Sequence, residues 1–259
     1  MRIDSLLYEK GLYSSRNKAK ESVLKGEVFY KGVAVKPSFE IESLEDITIV
    51  KKEENFVSNG GYKLNKALKD FNVSVENLTI CDIGASNGGF SHCLLKNNAK
   101  KVYAIDVGES QLDKIVANDS RVVVLDNTNA RYITKSTFSD EIDAVVCDVS
   151  FISLTYILEN VEKVLKESGF AIMLIKPQFE CGKKSLSKTG IVTDANDRYK
   201  GVLKVIDYAQ KCGLYAVNLT TAPIKERKNV EYLVHLVKDK NKKVIDTNYI
   251  KKIVFKGEA

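Results

Sequence analysis

Paired cysteines are missing from this 259-residue chain. Cys81, Cys93, Cys147, Cys181 and Cys212 form an odd, scattered set with no CxxC, and there are only two histidines. That composition argues against a zinc site or any other resident metal, and it fits a reduced, cytoplasmic setting. Long apolar runs are missing too. The longest, such as FAIMLI at 170–175, are strand-length, short of the roughly 18 to 20 residues that span a bilayer. The opening MRIDSLLYEKGL is too charged for a signal peptide. There is no internal repeat and no low-complexity segment. A membrane partner is therefore not expected.

The charge balance is mildly basic: Lys+Arg 40 against Asp+Glu 34, a net +6. This permits nucleic-acid contact without requiring it. The excess is concentrated at the start. Residues 1–36 hold eight basic residues (Arg2, Lys10, Arg16, Lys18, Lys20, Lys25, Lys31, Lys36) against four acids. LLYEKGL and SSRNKAKESVLKG read as two short helices, the second capped by Ser14 or Ser15 and closed by Gly26. EVFYKGVAVKP and ITIVKK read as strands. Arg16 and Lys20 share one helix face beside an apolar Ala19–Val23 stripe. On charge alone this face could be merely solvated. The stretch RIDSLLYEKGLYSSRNKAKESVLKGEVFYKGVAVKPS, however, resembles the small RNA-binding domain typified by ribosomal protein S-four. That resemblance implies folded RNA held through shape and phosphate, with Arg2, Arg16, Lys18, Lys20, Lys25 and Lys36 as the contacting residues.

We place this α+β module at residues 1–52, a polar linker at 53–58 and a larger domain at 59–259. In the larger domain strands and helices alternate: TICDI, GFSHCLLKN, KVYAIDV, SQLDKIVAN, VVVLD, EIDAVVCD, SLTYILENVEKVLKE and GFAIMLIK. A long loop, PQFECGKKSLSKTGIVTD, leads to the helix ANDRYKGVLKVIDYAQKCG. Repeated βα units imply a mostly parallel sheet covered on both faces. The last two strands, LYAVNLTTAPI and VEYLVHLVK, have too short a connection for a crossover and should pair antiparallel.

DIGASNGGF, between a strand and a helix, is the first chemical signal. Small residues there let a ligand approach the backbone, and the helix start offers free N–H groups. Three readings compete. A dinucleotide fingerprint would need glycine where Ser86 stands. A hydrolase elbow GxSxG matches literally, with His235 downstream, but such an elbow follows several strands rather than the first, and His235 sits inside an alternating apolar strand. The third reading, an S-adenosylmethionine pocket, explains most. Asp82, Asp106, Asp126 and Asp148 recur at strand ends, where open α/β sheets bind ligands. Asp106 would meet the ribose hydroxyls, and Asp126 with Asn127 the adenine edge. Asp82, Gly84, Ser86, Gly88, Gly89, Phe90 and Asp148 would complete the pocket.

Topology then gathers four charges. Lys176 ends FAIMLIK, Asp148 ends AVVCD, and Glu231 opens the antiparallel strand, all at the carboxyl edge. The helix KLNKALKDF precedes the first strand and runs antiparallel to it, which brings Lys63 to the same edge. SNGGYKL, DIGASNGGF, CDVSFISL, LIKPQFE and KNVEYL together resemble the TlyA family: S-adenosylmethionine-dependent ribosomal RNA 2′-O-methyltransferases with an S-four-type domain and a Rossmann-like, FtsJ-like catalytic domain, some named haemolysins. The resemblance implies that Lys63, Asp148, Lys176 and Glu231 form a catalytic tetrad. It also implies that cytidine 2′-hydroxyls in ribosomal RNA or ribosomal subunits are the substrates. Two positions depart from the family pattern: Asn59 replaces an arginine before the double glycine, and Glu54-Asn55-Phe56-Val57 lacks the basic residue and tryptophan of the family's linker. Lys176 is the expected proton acceptor, oriented by Asp148, with Lys63 and Glu231 positioning the ribose. A membrane-active haemolysin and an RNA-binding module with an inactive methyltransferase domain are the alternatives.

Overall fold

A computed structural model describes residues 1–13, 15–50, 56–109, 111–223 and 228–256. The chain divides into two compact units, Met1–Asn55 and Phe56–Ala259. Ser14, residues 51–55 and most of the connection PIKERKN lie outside the described residues.

The first unit packs helices α1 (Ile3–Glu9) and α2 (Arg16–Leu24) on a small antiparallel sheet of β1 (Val28–Tyr30), β2 (Val33–Ala34) and β3 (Ile47–Ile49), in the order β2-β1-β3. Ser15 caps α2, accepting the Lys18 N–H at 3.2 Å. Tyr30 pairs with Val33, so the hairpin turn is Lys31-Gly32. Both residues have positive φ, 48° and 80°, as a two-residue turn matched to strand twist requires. Ile3, Leu7, Ala19, Val23 and Val28 form the core.

The second unit runs α3 (Asn59–Phe71), β4 (Thr79–Ile83), α4 (Gly89–Lys96), β5 (Lys101–Ile105), α5 (Lys114–Ala117), β6 (Val122–Leu125), β7 (Ile142–Cys147), α6 (Leu158–Val164), β8 (Leu165–Ile175), α7 (Pro177–Glu180), α8 (Ala195–Lys211), β9 (Tyr215–Thr221), β10 (Tyr232–Val237) and α9 (Thr247–Val254). Its seven-stranded sheet has the order β6-β5-β4-β7-β8-β10-β9. Strands β4 to β8 pair in parallel, and β10 is antiparallel to both β8 and β9. The strand order reverses between β4 and β7, which makes the carboxyl ends of those strands the ligand edge. Alternate residues of each strand enter opposite cores. Ile80, Val102, Ala144, Val146 and Leu174 face α3 and α4. Cys81, Ile105, Val145, Met173 and Val234 face the side that buries residues of α6, α8 and α9. Burial on both faces is why these strands read as unbroken apolar runs.

Several boundaries differ from the sequence reading. SQLDKIVAN yields only the single turn α5, because Asp113 caps it through the Ile115 N–H at 3.0 Å. Helix α6 stops at Val164, and β8 begins at Leu165 through its pairing with Ile142. The long loop contains α7, begun by Pro177. Helix α9, which begins after Asp246 accepts the Tyr249 N–H, was not anticipated.

Candidate active site

The four charges meet. Lys63, one turn into α3, places Nζ 2.6 Å from Glu231 Oε2 and 3.7 Å from Asp148 Oδ2. Lys176 Nζ lies 2.6 Å from Asp148 Oδ1 and donates to Ser150 Oγ at 2.7 Å. The array reads Glu231–Lys63–Asp148–Lys176–Ser150. Asp148 leaves β7 with its N–H donated to the Ile83 carbonyl. Tyr232 pairs with Ile175, so the antiparallel ladder continues toward Glu231 beside Lys176. Lys176 is 8% exposed, and the other three side chains are about one-fifth exposed.

Ser150 was missed from sequence, as was the role of Glu180. Glu180 is buried. It accepts the Leu154 N–H at 2.8 Å and the Ser153 hydroxyl at 2.5 Å. It thereby ties the loop after Asp148 to the helix after Lys176, and this explains why CDVSFISL and LIKPQFE occur together. Within that loop Phe151 holds φ 65°, is 90% exposed and lies 5.2 Å from the Phe179 ring.

A cavity of about 270 Å³ opens beside this array, lined by Gly84, Ser86, Asp106, Asn129 and Asp148 among others. A second lobe of about 170 Å³ is lined by Ser58, Gly60, Ser86, Gly89, Phe90 and Lys176 among others. Gly84, Ser86, Asp148 and Ser150 belong to both. Together the lobes reach the volume of a small-molecule site. The Asp106 carboxylate accepts the Ser86 N–H at 2.8 Å and the Gly108 N–H at 3.0 Å, and so is fixed in the cavity wall. The helix starts at the second lobe, α3 after Ser58 and α4 after Gly88, have no side-chain cap. Their free N–H groups favour an anionic ligand group.

Other expected residues sit differently. Asp82 lies within β4, fully buried, and lines neither lobe. Its Oδ2 accepts the Ser91 hydroxyl at 2.6 Å, while Oδ1 is buried without a partner. Burial pushes this carboxyl up to about 7, against the lowering effect of the Ser91 bond. Asp126 and Asn127 also lie outside both linings, whereas the next residues, Thr128 and Asn129, are in the wall. The glycines mostly make room for protein. A Cβ at Gly84 (φ +79°) would stand 2.9 Å from the Asp148 carbonyl, and one at Gly88 (φ +83°) 3.0 Å from Leu112. At Gly89 it would stand 2.1 Å from Ser58 Oγ. The His235 ring stacks on Phe71 at 5.7 Å, with Phe170 edge-on at 5.4 Å. Burial lowers it to about 4. It is a neutral core histidine, which leaves the hydrolase-elbow reading without support.

In the first unit Arg2 and Arg16 both pair with buried Asp4, at 3.1 and 3.5 Å. Burial raises the Asp4 carboxyl, but the two arginines outweigh this and hold it below its ordinary value. Both arginines remain about half exposed, so they combine a structural contact with an accessible charge. Lys18, Lys20, Lys25 and Lys36 are exposed. No group of metal-ligating side chains and no helix long and apolar enough to cross a membrane occurs among the described residues.

A switch-point cavity, a glycine turn and a lysine–carboxylate array on one sheet edge define a Rossmann-like methyltransferase. Residues 56–238 match the FtsJ-like methyltransferase family and residues 1–47 the S4 domain; the chain belongs to the FtsJ-like methyltransferase family. It is 45% identical over 240 residues to Hemolysin A of Brachyspira hyodysenteriae, covering 92% of this chain and 100% of that protein. It is 39% identical over 238 residues to the 16S/23S rRNA (cytidine-2'-O)-methyltransferase TlyA of Mycobacterium tuberculosis, covering 91% and 89%. A solved Streptococcus thermophilus structure, provisionally described as a hemolysin, is 36% identical. It covers 98% of this chain and 94% of that one, with a TM-score of 0.75.

Proposed function

We propose that this protein methylates cytidine 2′-hydroxyls of ribosomal RNA, with S-adenosylmethionine as cofactor. The array Glu231–Lys63–Asp148–Lys176 carries the reading. It sets a buried amine, oriented by a carboxylate, at the mouth of a cavity suited to the cofactor. The residues present fit that group. The fixed Asp106 carboxylate offers oxygens to vicinal hydroxyls, and the uncapped starts of α3 and α4 offer N–H groups to a carboxylate. When bound, the cofactor supplies a methyl group already activated on sulfonium. The protein then has to align an oxygen nucleophile and remove its proton.

Lys176 Nζ does the second task. A neutral amine has three substituent directions besides its carbon. Ser150 accepts from one of them, while Asp148 lies 2.6 Å away as a counter-charge, and a direction remains for the incoming hydroxyl. Lys63, clamped between Glu231 and Asp148, holds the ribose. Phe151 presents an exposed ring beside the array, on which an RNA base can stack. The S4 domain brings the lysines of α2 and Lys36 to the phosphate backbone.

The test is transfer of labelled methyl from S-adenosylmethionine to unmodified ribosomal subunits, run beside a liposome-leakage assay. We expect transfer to RNA and no leakage. Leakage without transfer would favour a membrane-active protein. RNA binding without transfer would favour an inactive methyltransferase domain.

A further inference from the structure

The segment entering the second unit is held by an unexpected partner. The Val57 N–H donates to His92 Nδ1 at 3.1 Å. Phe56 sets its ring edge-on to His92 at 5.9 Å and to Tyr62 at 5.1 Å, with Lys96 5.5 Å from its centroid. A Cβ at Gly61 would fall 2.2 Å from Phe56. The glycine therefore creates the seat for that ring. Ser58 in turn closes on Gly89. The first turns of α3 and α4 interlock here, and both line the second lobe of the cavity. Lys63 follows in α3.

We propose that His92 is a positioning residue: as a neutral acceptor it latches residues 56–58, fixing the start of α3 and through it Lys63 and the second lobe. The proposal rests on the methyl-transfer reading of the site. Accepting at Nδ1 requires the proton on Nε2. A doubly protonated ring would turn an N–H toward Val57 and open the latch. The charged groups around it are Lys96 on the same helix and Asp113 before α5. Burial lowers the His92 value below its ordinary range, Lys96 adds to this, and Asp113 opposes it, so the ring is kept neutral and latched at neutral pH.

The test compares the intact protein with H92A and H92N, because an asparagine oxygen can replace Nδ1 without titrating. Only two histidines are present, so ¹⁵N-histidine spectra resolve His92, with H92N giving the assignment. We expect the Nε2–H tautomer at pH 7, and faster hydrogen exchange at Val57 in H92A. Losing one net hydrogen bond should slow single-turnover methyl transfer about three- to tenfold. H92N should return to within about twofold of wild type. Both lose rate in acid as the proton acceptor Lys176 is protonated, but H92N should lose less than wild type at mildly acidic pH, because its latch does not titrate. An Nδ1–H tautomer, a wild-type rate in H92A, or an H92N as slow and as pH-sensitive as the others would overturn the latch. If wild type transfers no methyl to RNA, the functional reading fails instead, while the tautomer and exchange measurements still decide the latch.

Discussion

Asp148→Asn isolates the central carboxylate with almost no change in shape. Asp148 stands 2.6 Å from Lys176 and 3.7 Å from Lys63. At an effective dielectric near 20, the gross attractions are about 6 and 4.5 kcal/mol, most of it offset by desolvation. Removing one partner of a buried pair costs about 3–5 kcal/mol. Here each lysine keeps a second partner, Ser150 at 2.7 Å or Glu231 at 2.6 Å, and Asp148 is about one-fifth exposed. A loss of about 2 kcal/mol is therefore expected, a fall in Tm of about 4–8 °C for a unit of this size. Catalysis should suffer more, because the amine loses the group that aims it. Single-turnover methyl transfer should drop about 10²-fold or more, while S-adenosylhomocysteine binding falls only modestly. Melting curves and quench-flow transfer on the same preparation check both numbers. A variant that melts lower yet transfers methyl at the wild-type rate would refute the reasoning, since Asp148 would then be a structural counter-ion.

Three further outcomes follow from the geometry. Gly84→Ala should weaken cofactor binding in calorimetry by about tenfold, because a Cβ there meets the Asp148 carbonyl at 2.9 Å on a backbone that disfavours side chains. Lys20→Gln with Lys36→Gln should reduce the salt slope of RNA binding by about 1.4–1.8 and leave cofactor affinity unchanged; these lysines are preferable to Arg16, which also holds Asp4. Asp82 is raised from 3.8 to about 7 in the folded protein, so the folded state holds the extra proton and stability should fall as pH rises from about 4 to 7, by up to about 4 kcal/mol; Asp82→Asn should flatten that slope in denaturant titrations at a series of pH values.

The site was legible where topology alone decides placement. Strand ends and one antiparallel connection were enough to bring Lys63, Asp148, Lys176 and Glu231 to one edge. Details set by side-chain packing were not legible. Asp82 looks like a strand-end acid, but Ser91 draws it into the interior. Asp126 and Asn127 precede the wall residues by two positions because Asn127 adopts φ 51° and turns the chain, a local choice with no periodic signature. Gly89 was expected at the pocket and does line the second lobe, but the sequence does not show that its missing side chain also admits Ser58, or that Gly61 makes room for Phe56. The glutamate of PQFE gave no sign of its partner, since the Leu154 N–H it caps is 26 residues away. Helix α9 was overlooked because it is short and follows a charged, aperiodic stretch.

The central claim is that Lys176 takes the proton from a cytidine 2′-hydroxyl during methyl transfer to ribosomal RNA. Alkaline hydrolysis mapping of unmodified subunits, incubated with S-adenosylmethionine and either wild type or Lys176→Ala, tests it most directly, because a 2′-O-methyl group protects the adjacent phosphodiester from cleavage. The account predicts new protection at a cytidine with wild type and none with Lys176→Ala, although the variant still binds RNA and cofactor. Label incorporated without protection would place the methyl on a base, and full protection by Lys176→Ala would remove the lysine from the chemistry; either result contradicts the account.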